Sequence, residues 1–462
     1  MRYALCFLVA LFVYAAARCV VLNVTQQPRP RLPPGPWQLP LIGSLHHLRR
    51  GLPHRAMRDL SLRHGPLMLL RVCERAVIVV SSAQAVRDIC KGYDAAFSER
   101  PSSPGIEELS RHGRGIIFAP YGDHWRLLRR IYPHDGAAQP PPRRGAAAAG
   151  GRRRLVNIDE RLGEFMTGAA VRAIFGDRMP DGAAFLKMVK QGADPSSLFD
   201  LRDLFPSSRL VRLLPRSRGK AERHRQNMFR LMDNILESHE ERRAARDGDD
   251  LYDMVDDVFG AALDTTTTTL QWAMSELMAN PRVMQKSQLE TRRIFTRHDK
   301  VHDTTLNGLQ YLKAAIKETL QLHPPATLLP RQRLQACKIQ GYDVPTVVVV
   351  VINIWAISRD PKYWDEPEKF MPERFEGDNG NVADFKGADF EFTPFGVGRR
   401  ICPGIGFAYA NVEIALANLL YHFDWELPVG VAPQEIDMTE VFGVTVSRKT
   451  ELYLCPIPHS TL

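Results

Sequence analysis

The spacing of apolar residues divides the chain into segments of different kinds. Residues 3–22 are mostly apolar, and about 20 helical residues cross a hydrocarbon core of about 30 Å, so this stretch predicts a membrane-spanning helix. Residues Leu67–Val72 and 76–81 are rich in Val, Ile and Leu and predict two β-strands joined by a short turn. A helix is predicted further along by the apolar positions Leu309, Leu312, Ile316 and Leu320.

Two later apolar segments each allow two interpretations. Residues 253–278 predict a long helix, although the threonines at 265–269 are β-branched and form helices poorly. The helical pattern that continues over 270–277 favours the helix. Residues 347–352 predict a buried strand, with an aggregation-prone segment as the alternative.

Composition narrows the classes of function. The 462 residues include 61 Lys and Arg against 52 Asp and Glu, a net charge of +9, which suits nucleic acid, an anionic membrane surface or an acidic protein partner. The chain has no zinc-finger cysteine spacing and no aromatic residues interleaved with basic ones, so we expect no nucleic-acid binding. Seven cysteines without C-x-x-C spacing favour a reducing compartment over a disulfide scaffold.

The apolar N-terminal stretch is either a retained anchor or a cleaved signal peptide. Arg29 and Arg31 place positive charge on its C-terminal side, which favours that side as cytoplasmic and the stretch as an anchor. The glycosylation sequon at Asn23 would then stay unused.

Composition also predicts the domain boundaries. We expect an anchor at residues 1–24, a proline-rich hinge at 25–45 and one large domain at 46–462. Within this domain, residues 133–154 consist of proline, alanine-glycine and arginine runs with too little apolar variety to pack. This segment is either a disordered basic linker or an altered stretch of the gene.

A glycine-rich loop at 395–404 carries Cys402 directly before a helix-forming run at 405–420. A thiolate that binds iron holds negative charge in an apolar site, so it needs backbone N–H donors near its sulfur, and glycines permit that close approach. The following helix adds the positive end of its dipole. For a cysteine taken alone, the alternative is a buried, inert thiol.

The loop matches F-x-x-G-x-R-x-C-x-G at every specified position, and the chain resembles a cytochrome P-450 of the plant microsomal type. The resemblance implies the cytochrome P-450 fold, mainly α with a small β-rich subdomain, and haem b (iron protoporphyrin IX) as the cofactor. Cys402 would be the metal ligand, Arg400 would bind a haem propionate and Phe395 would shield the sulfur from water. Gly396 and Gly404 would belong to the same cofactor-binding loop.

The resemblance adds further cofactor-binding residues. Trp125 and Arg129 lie on one helical face, and relatives hold a propionate with such a W-x-x-x-R pair, although alone the pair is typical of a solvated helix face. Arg331, which follows a proline, would reach a propionate as well. Ala261 would lie beside the haem on the long helix.

The long helix also carries the predicted catalytic residues, Asp264 and Thr265. They match the acid and alcohol of the family pattern A-G-x-[D/E]-T, in which they relay protons, because cleavage of the dioxygen O–O bond consumes two protons. Here Ala262 replaces the usual glycine, which predicts a tighter groove for oxygen.

The most serious departure from the family is Gln321. Relatives have E-x-x-R at this position, and its glutamate and arginine form a buried ion network with a second arginine, which corresponds to Arg374 here. Gln321 is still able to hydrogen-bond Glu318, and the other possibility is that Arg374 carries the charge alone. The chain before the long helix is also shorter than in relatives, so a deletion is a further expectation.

The resemblance implies an NADPH-dependent monooxygenase at the endoplasmic reticulum membrane, with a single N-terminal anchor and a cytoplasmic catalytic domain. It would receive electrons from NADPH–cytochrome reductase and oxidise a hydrophobic small molecule such as a terpenoid. One alternative is a catalytically impaired family member with poor haem loading. Another is a haem-thiolate isomerase or dehydratase, which the retained Asp264 and Thr265 disfavour.

Overall fold

The computed structural model describes residues 30–49, 51–102, 107, 113, 115–131, 154–175, 201–212, 248–295, 306–333, 335–346, 348–377, 383–385 and 387–459. Its helices are α1 (Leu45–Leu48), α2 (Pro53–His64), α3 (Ala83–Gly92), α4 (Asp123–Ile131), α5 (Ile158–Phe175), α6 (Leu201–Leu204), α7 (Arg209–Arg212), α8 (Gly248–Ala279), α9 (Pro281–Phe295), α10 (Gln310–Leu322), α11 (Ile354–Ile357) and α12 (Ile405–His422). Its strands are β1 (Leu67–Val72), β2 (Arg75–Val80), β3 (Val156–Asn157), β4 (Leu328–Gln332), β5 (Cys337–Ile339), β6 (Tyr342–Val344), β7 (Val349–Asn353), β8 (Phe423–Glu426), β9 (Glu440–Phe442), β10 (Val446–Arg448) and β11 (Tyr453–Pro458).

The largest part of the core lies among five helices, α5, α8, α9, α10 and α12, and α8 contacts each of the other four. Side chains from three of them are fully buried, namely Met274 of α8, Leu312 of α10 and Leu416 of α12. The prediction of a mainly α fold with a small β-rich part is therefore confirmed.

Helix α8 includes the threonine run, so the helical interpretation of that segment is confirmed. Thr265 Oγ1 donates to Ala261 O at 2.6 Å, and Thr269 Oγ1 donates to Thr265 O at 2.9 Å. Each hydroxyl thus bonds to a carbonyl one turn earlier, which satisfies it inside the helix.

The main sheet has the strand order β1-β2-β7-β4. β1 and β2 form the predicted antiparallel pair, with Leu67 opposite Val80. β7 lies inside the sheet, parallel to β2 and antiparallel to β4, and confirms the strand predicted at 347–352. Because both of its edges are paired, β7 offers no free edge for aggregation.

Two antiparallel strands, β9 and β10, form a hairpin beside α8. A separate three-stranded sheet has the order β3-β11-β8. The predicted anchor at 1–24 and all but the last residue of the stretch at 133–154 lie outside the described residues. Within the part of the chain that the structure describes, no helix is both long enough and apolar enough to cross a membrane.

Candidate active site

A cavity of about 280 Å³ lies among α4, α8, α10, the start of α12 and the cysteine loop. Much of its lining is apolar, including Ile116, Ile117, Ala262, Ile316, Leu320, Ala326, Leu329 and Val412. The cavity brings together eight of the predicted site residues, Trp125, Arg129, Ala261, Thr265, Phe395, Arg400, Cys402 and Gly404. Three others, Asp264, Arg331 and Gly396, do not line it.

Backbone hydrogen bonds fold the cysteine loop tightly. The Cys402 N–H donates to Phe395 O at 2.9 Å, and the Ile401 N–H donates to Gly398 O at 3.0 Å. Gly398 has a φ of +69°, and a Cβ at this position would lie 2.5 Å from Asp94 Oδ1. A side chain at Gly398 would therefore clash and be strained, which explains the glycine in the motif.

The surroundings of the Cys402 sulfur shift the pKa of its thiol in opposite directions. Burial raises the pKa of the Cys402 thiol, while a hydrogen bond from the Gly404 backbone and the charge of Arg129 lower it. α12 begins at Ile405, so the positive end of its dipole lies close to the cysteine. A partly buried sulfur that lines the cavity, with one backbone donor and a helix terminus beside it, fits a thiolate whose charge is balanced by a metal cation.

Four arginines lie close together beside the cavity. Arg129 Nη1 donates to Ile401 O at 2.6 Å, and Arg400 donates through Nε to Ser98 O at 2.6 Å. The other two are Arg100 and Arg331. The Nε of Arg100 and the Nη1 atoms of Arg331 and Arg400 are buried, and none of the three has a hydrogen-bond partner among the described residues.

Electrostatics at this arginine cluster favour an anion. Burial, together with the positive charge of neighbouring guanidinium groups, lowers the pKa of Arg100 to about 9 and the pKa of both Arg331 and Arg400 to about 10. Trp125 packs under the cluster, with Arg400 centred 4.8 Å and Arg129 5.3 Å from its ring. Bound carboxylates would offset the repulsion and accept the unused N–H groups.

Thr265 and Asp264 are neighbours on α8 but have different surroundings. Thr265 lines the cavity. Asp264 does not line the cavity, and its Oδ2 accepts a hydrogen bond of 2.6 Å from Thr445 Oγ1. Burial raises the pKa of the Asp264 carboxyl, and the hydrogen bond from Thr445 lowers it. Thr265 thus reaches the cavity, whereas the Asp264 carboxyl is bound by Thr445.

Comparison with known proteins identifies the family. The family model described as Cytochrome P450 matches residues 33–135 and 247–455. The chain belongs to the cytochrome P450 family.

Several plant relatives cover almost the whole of this cytochrome P450. Desmethyl-deoxy-podophyllotoxin synthase of Sinopodophyllum hexandrum is 40% identical over 95% of this chain and 94% of its own length. Premnaspirodiene oxygenase of Hyoscyamus muticus is 37% identical over 93% of each chain. Germacrene A hydroxylase of Tanacetum parthenium is 37% identical over 92% of this chain and 93% of its own length. The predicted resemblance to plant cytochromes P-450 is confirmed.

The match to the family model is interrupted between residues 135 and 247. This interval contains nearly all of the atypical stretch at 133–154.

Membership of the cytochrome P450 family implies haem iron, and the residues around the cavity fit this group. Cys402 would supply a sulfur ligand, the arginine cluster would supply cations for two propionates, and the apolar lining suits the macrocycle. The position of each residue in the cavity wall is thus compatible with the role predicted for it, and the roles themselves stay predictions.

The predicted ion network is present, but residue 321 does not take part in it. Arg374 Nε lies 2.8 Å from Glu318 Oε2 and 3.0 Å from Glu318 Oε1, which confirms Arg374 as the partner. Of the two possibilities, the one in which Arg374 carries the charge alone is confirmed, because Gln321 Nε2 donates to Ser358 O at 2.5 Å and Pro367 O at 3.2 Å and not to Glu318. These two carbonyls determine the orientation of the Gln321 amide, and Gln321 Oε1 has no partner among the described residues.

Three residues at or near the site were missed by sequence reasoning. Arg100 lines the cavity, and Asp257 on its wall accepts a 2.9 Å hydrogen bond from the Ile117 N–H. Thr445 holds Asp264 from a strand hairpin. None of the three has a local sequence signal, since each contact joins residues more than 100 positions apart or depends on the folded cavity.

Replacement of Arg100 by glutamine is expected to weaken haem retention severalfold, because a bound propionate would lose a buried cationic partner. Arg63→Gln is the matched control, since it makes the same chemical change at an exposed position on α2. Haem content per folded protein after gel filtration measures the effect. Equal haem content in the two variants would contradict the assignment of Arg100 to the anion site.

Proposed function

We propose that this cytochrome P450 is an NADPH-dependent monooxygenase, which inserts one oxygen atom of dioxygen into a hydrophobic small molecule. The observation that supports the proposal most strongly is the position of Cys402 in the wall of a largely apolar cavity that Thr265 also lines. A sulfur ligand, an anion site and an alcohol thus surround one space.

Haem held by Cys402 would supply dioxygen activation and oxygen transfer to a C–H bond. The protein would contribute binding and proton transfer. Arg100, Arg129 and Arg400 would hold the propionates, and the apolar lining would bind the substrate and exclude water. The Thr265 hydroxyl, which donates to Ala261 O at 2.6 Å, would accept and pass on protons at its oxygen.

Plant relatives support the choice of substrate class. Their names state that one oxygenates premnaspirodiene and another hydroxylates germacrene A. We extend this to a specialised metabolite such as a terpenoid, which suits the apolar cavity. Electrons would come from NADPH–cytochrome reductase, whose acidic surface would face basic residues near Cys402 such as Arg399. An anchor at 1–24 would place the enzyme on the endoplasmic reticulum membrane.

A catalytically impaired protein with poor haem loading is the second candidate. Gln321 favours it, because one cation of the buried network is absent and Gln321 Oε1 is left without a partner among the described residues. Ala262 also lines the cavity where the family pattern has glycine.

The carbon monoxide difference spectrum of the reduced protein tests the proposal. We expect the strongly red-shifted Soret band of a thiolate-ligated haem, followed by NADPH consumption when reductase is added. A band in Gln321→Arg but not in the natural chain would favour the impaired protein. Absence of the band in both would overturn the proposed function.

A further inference from the structure

One face of α8 docks on the β9–β10 hairpin through three residues spaced by four. Asp264 Oδ2 accepts a hydrogen bond from Thr445 Oγ1 at 2.6 Å, and Thr268 Oγ1 lies 3.5 Å from Thr445 Oγ1. One turn later, Trp272 Nε1 donates to Val446 O at 3.0 Å. The hairpin therefore meets the predicted proton-relay carboxyl directly, and Thr445 is the contact.

The hairpin is itself fixed from the opposite side. Glu440 of β9 accepts from Arg55 Nε at 2.9 Å and lies 3.2 Å from His54 Nε2. The Val446 N–H donates to Pro325 O at 2.9 Å, next to a cavity-lining segment. Because both ends of the hairpin are held, Thr445 has a defined position and is 6% exposed.

We infer that Thr445 is a positioning residue, which holds the Asp264 carboxyl against the hairpin and keeps it able to release a proton towards Thr265, the neighbouring residue that lines the cavity. The inference rests on the proposed function, because it concerns proton supply to the same site. Thr445 itself touches neither substrate nor cofactor in this role.

The chemistry of a buried carboxyl supports this role. A carboxyl that relays protons must release its proton readily, so its pKa cannot lie far above the working pH. Burial alone raises the pKa of Asp264, and the donated hydrogen bond from Thr445 opposes that rise. A hydrogen bond to the charged form stabilises that form. Loss of the donor would leave a carboxyl that stays protonated and is free to change rotamer.

Thr445→Val removes the donor and keeps the shape, while Thr445→Ser keeps the donor and serves as the matched control. In the full-length protein, the infrared C=O band of protonated Asp264 is identified by its loss in Asp264→Asn and titrated with pH. We expect the midpoint to move up by about one pH unit or more in Thr445→Val, and to stay in place in Thr445→Ser.

The second readout is the fate of NADPH electrons in the haem-loaded protein with reductase and a sesquiterpene hydrocarbon that it binds. One hydrocarbon, one NADPH, one proton and one dioxygen give hydroxylated product, water and NADP⁺, whereas NADPH, a proton and dioxygen without the hydrocarbon give hydrogen peroxide and NADP⁺. We expect the peroxide share to rise severalfold in Thr445→Val only. An unchanged midpoint, or an unchanged peroxide share despite a shifted midpoint, would overturn the inference. Failure of the proposed function is distinguishable, because the natural chain would then form no product while the Thr445→Val midpoint still shifts.

Discussion

Cys402→Ser is expected to abolish the red-shifted carbon monoxide band and to lower NADPH-driven turnover by orders of magnitude. The band requires an anionic sulfur on the iron, and a serine hydroxyl is far too weak an acid to replace it. The surrounding loop should keep its fold, because its bonds from the Cys402 and Ile401 N–H groups are made by the backbone. Loss of the band with little change in thermal stability of the haem-free protein is therefore the expected pattern.

Cys90→Ser is the matched control for this experiment. Cys90 lies near the cysteine loop, since a Cβ on Gly398 would be 3.5 Å from its sulfur. Burial, together with the charge of Asp94, raises the pKa of Cys90 to about 12, although Arg331 lowers it, so this thiol is neutral and a poor ligand. Retention of the band in Cys402→Ser, or its loss in Cys90→Ser alone, would show that the wrong cysteine has been assigned.

The parts of this site that are encoded locally could be predicted from the sequence. The cysteine loop matches its motif at every specified position, and its glycines occupy positive φ angles at 396 and 398. Strand β1 and the extent of α8 agree with the apolar periodicity. Such features depend on neighbours within a few residues, so a single sequence is sufficient for them.

Contacts between distant segments could not be predicted in this way. Arg100 reaches Pro330 O at 3.0 Å, and Thr445 reaches Asp264 across 181 positions. Glu318, three residues away on the same helix, was a possible partner for Gln321, but the Gln321 amide donates instead to two carbonyls of another segment, Ser358 O and Pro367 O. Unsatisfied buried carbonyls cost free energy, and only the fold shows where they lie.

With Gln321 directed to carbonyl groups, Arg374 is the cation that pairs with Glu318 at hydrogen-bond distance. Arg374 also donates through Nη1 to Asp365 O at 2.7 Å and through Nη2 to Lys369 O at 3.1 Å, and the Met371 N–H donates to Glu318 Oε1 at 2.7 Å. The segment before the cysteine loop is thus tied to α10 through one buried carboxylate. Stability of this segment should depend on the charge of Glu318.

Arg374→Met is expected to destabilise the protein by about 3–5 kcal/mol at pH 8 and by less at pH 5. Burial raises the pKa of Glu318 to about 7, against the lowering by the Met371 N–H and Arg374. The folded protein therefore binds more protons than the unfolded chain between pH about 4 and 7, and stability falls as pH rises through this window. Without Arg374 the pKa of Glu318 in the folded protein rises further, so the loss of stability continues above pH 7. At pH 5, by contrast, Glu318 is protonated in the folded state of both the natural chain and Arg374→Met.

Urea unfolding at pH 5 and pH 8 measures this difference, and Arg282→Met is the matched control. Arg282 pairs with Glu373 at 2.7 Å, but its side chain is 67% exposed, so its removal should cost about 0–1 kcal/mol. Arg282 is the main cause that lowers the pKa of Glu373 to about 2, and even an ordinary glutamate pKa of about 4.3 lies below pH 5, so this small cost should not change between the two pH values. The contrary outcome is that Arg374→Met lowers the free energy of unfolding equally at pH 5 and pH 8. That result would mean that Arg374 acts through its carbonyl contacts alone and that the charge of Glu318 contributes nothing.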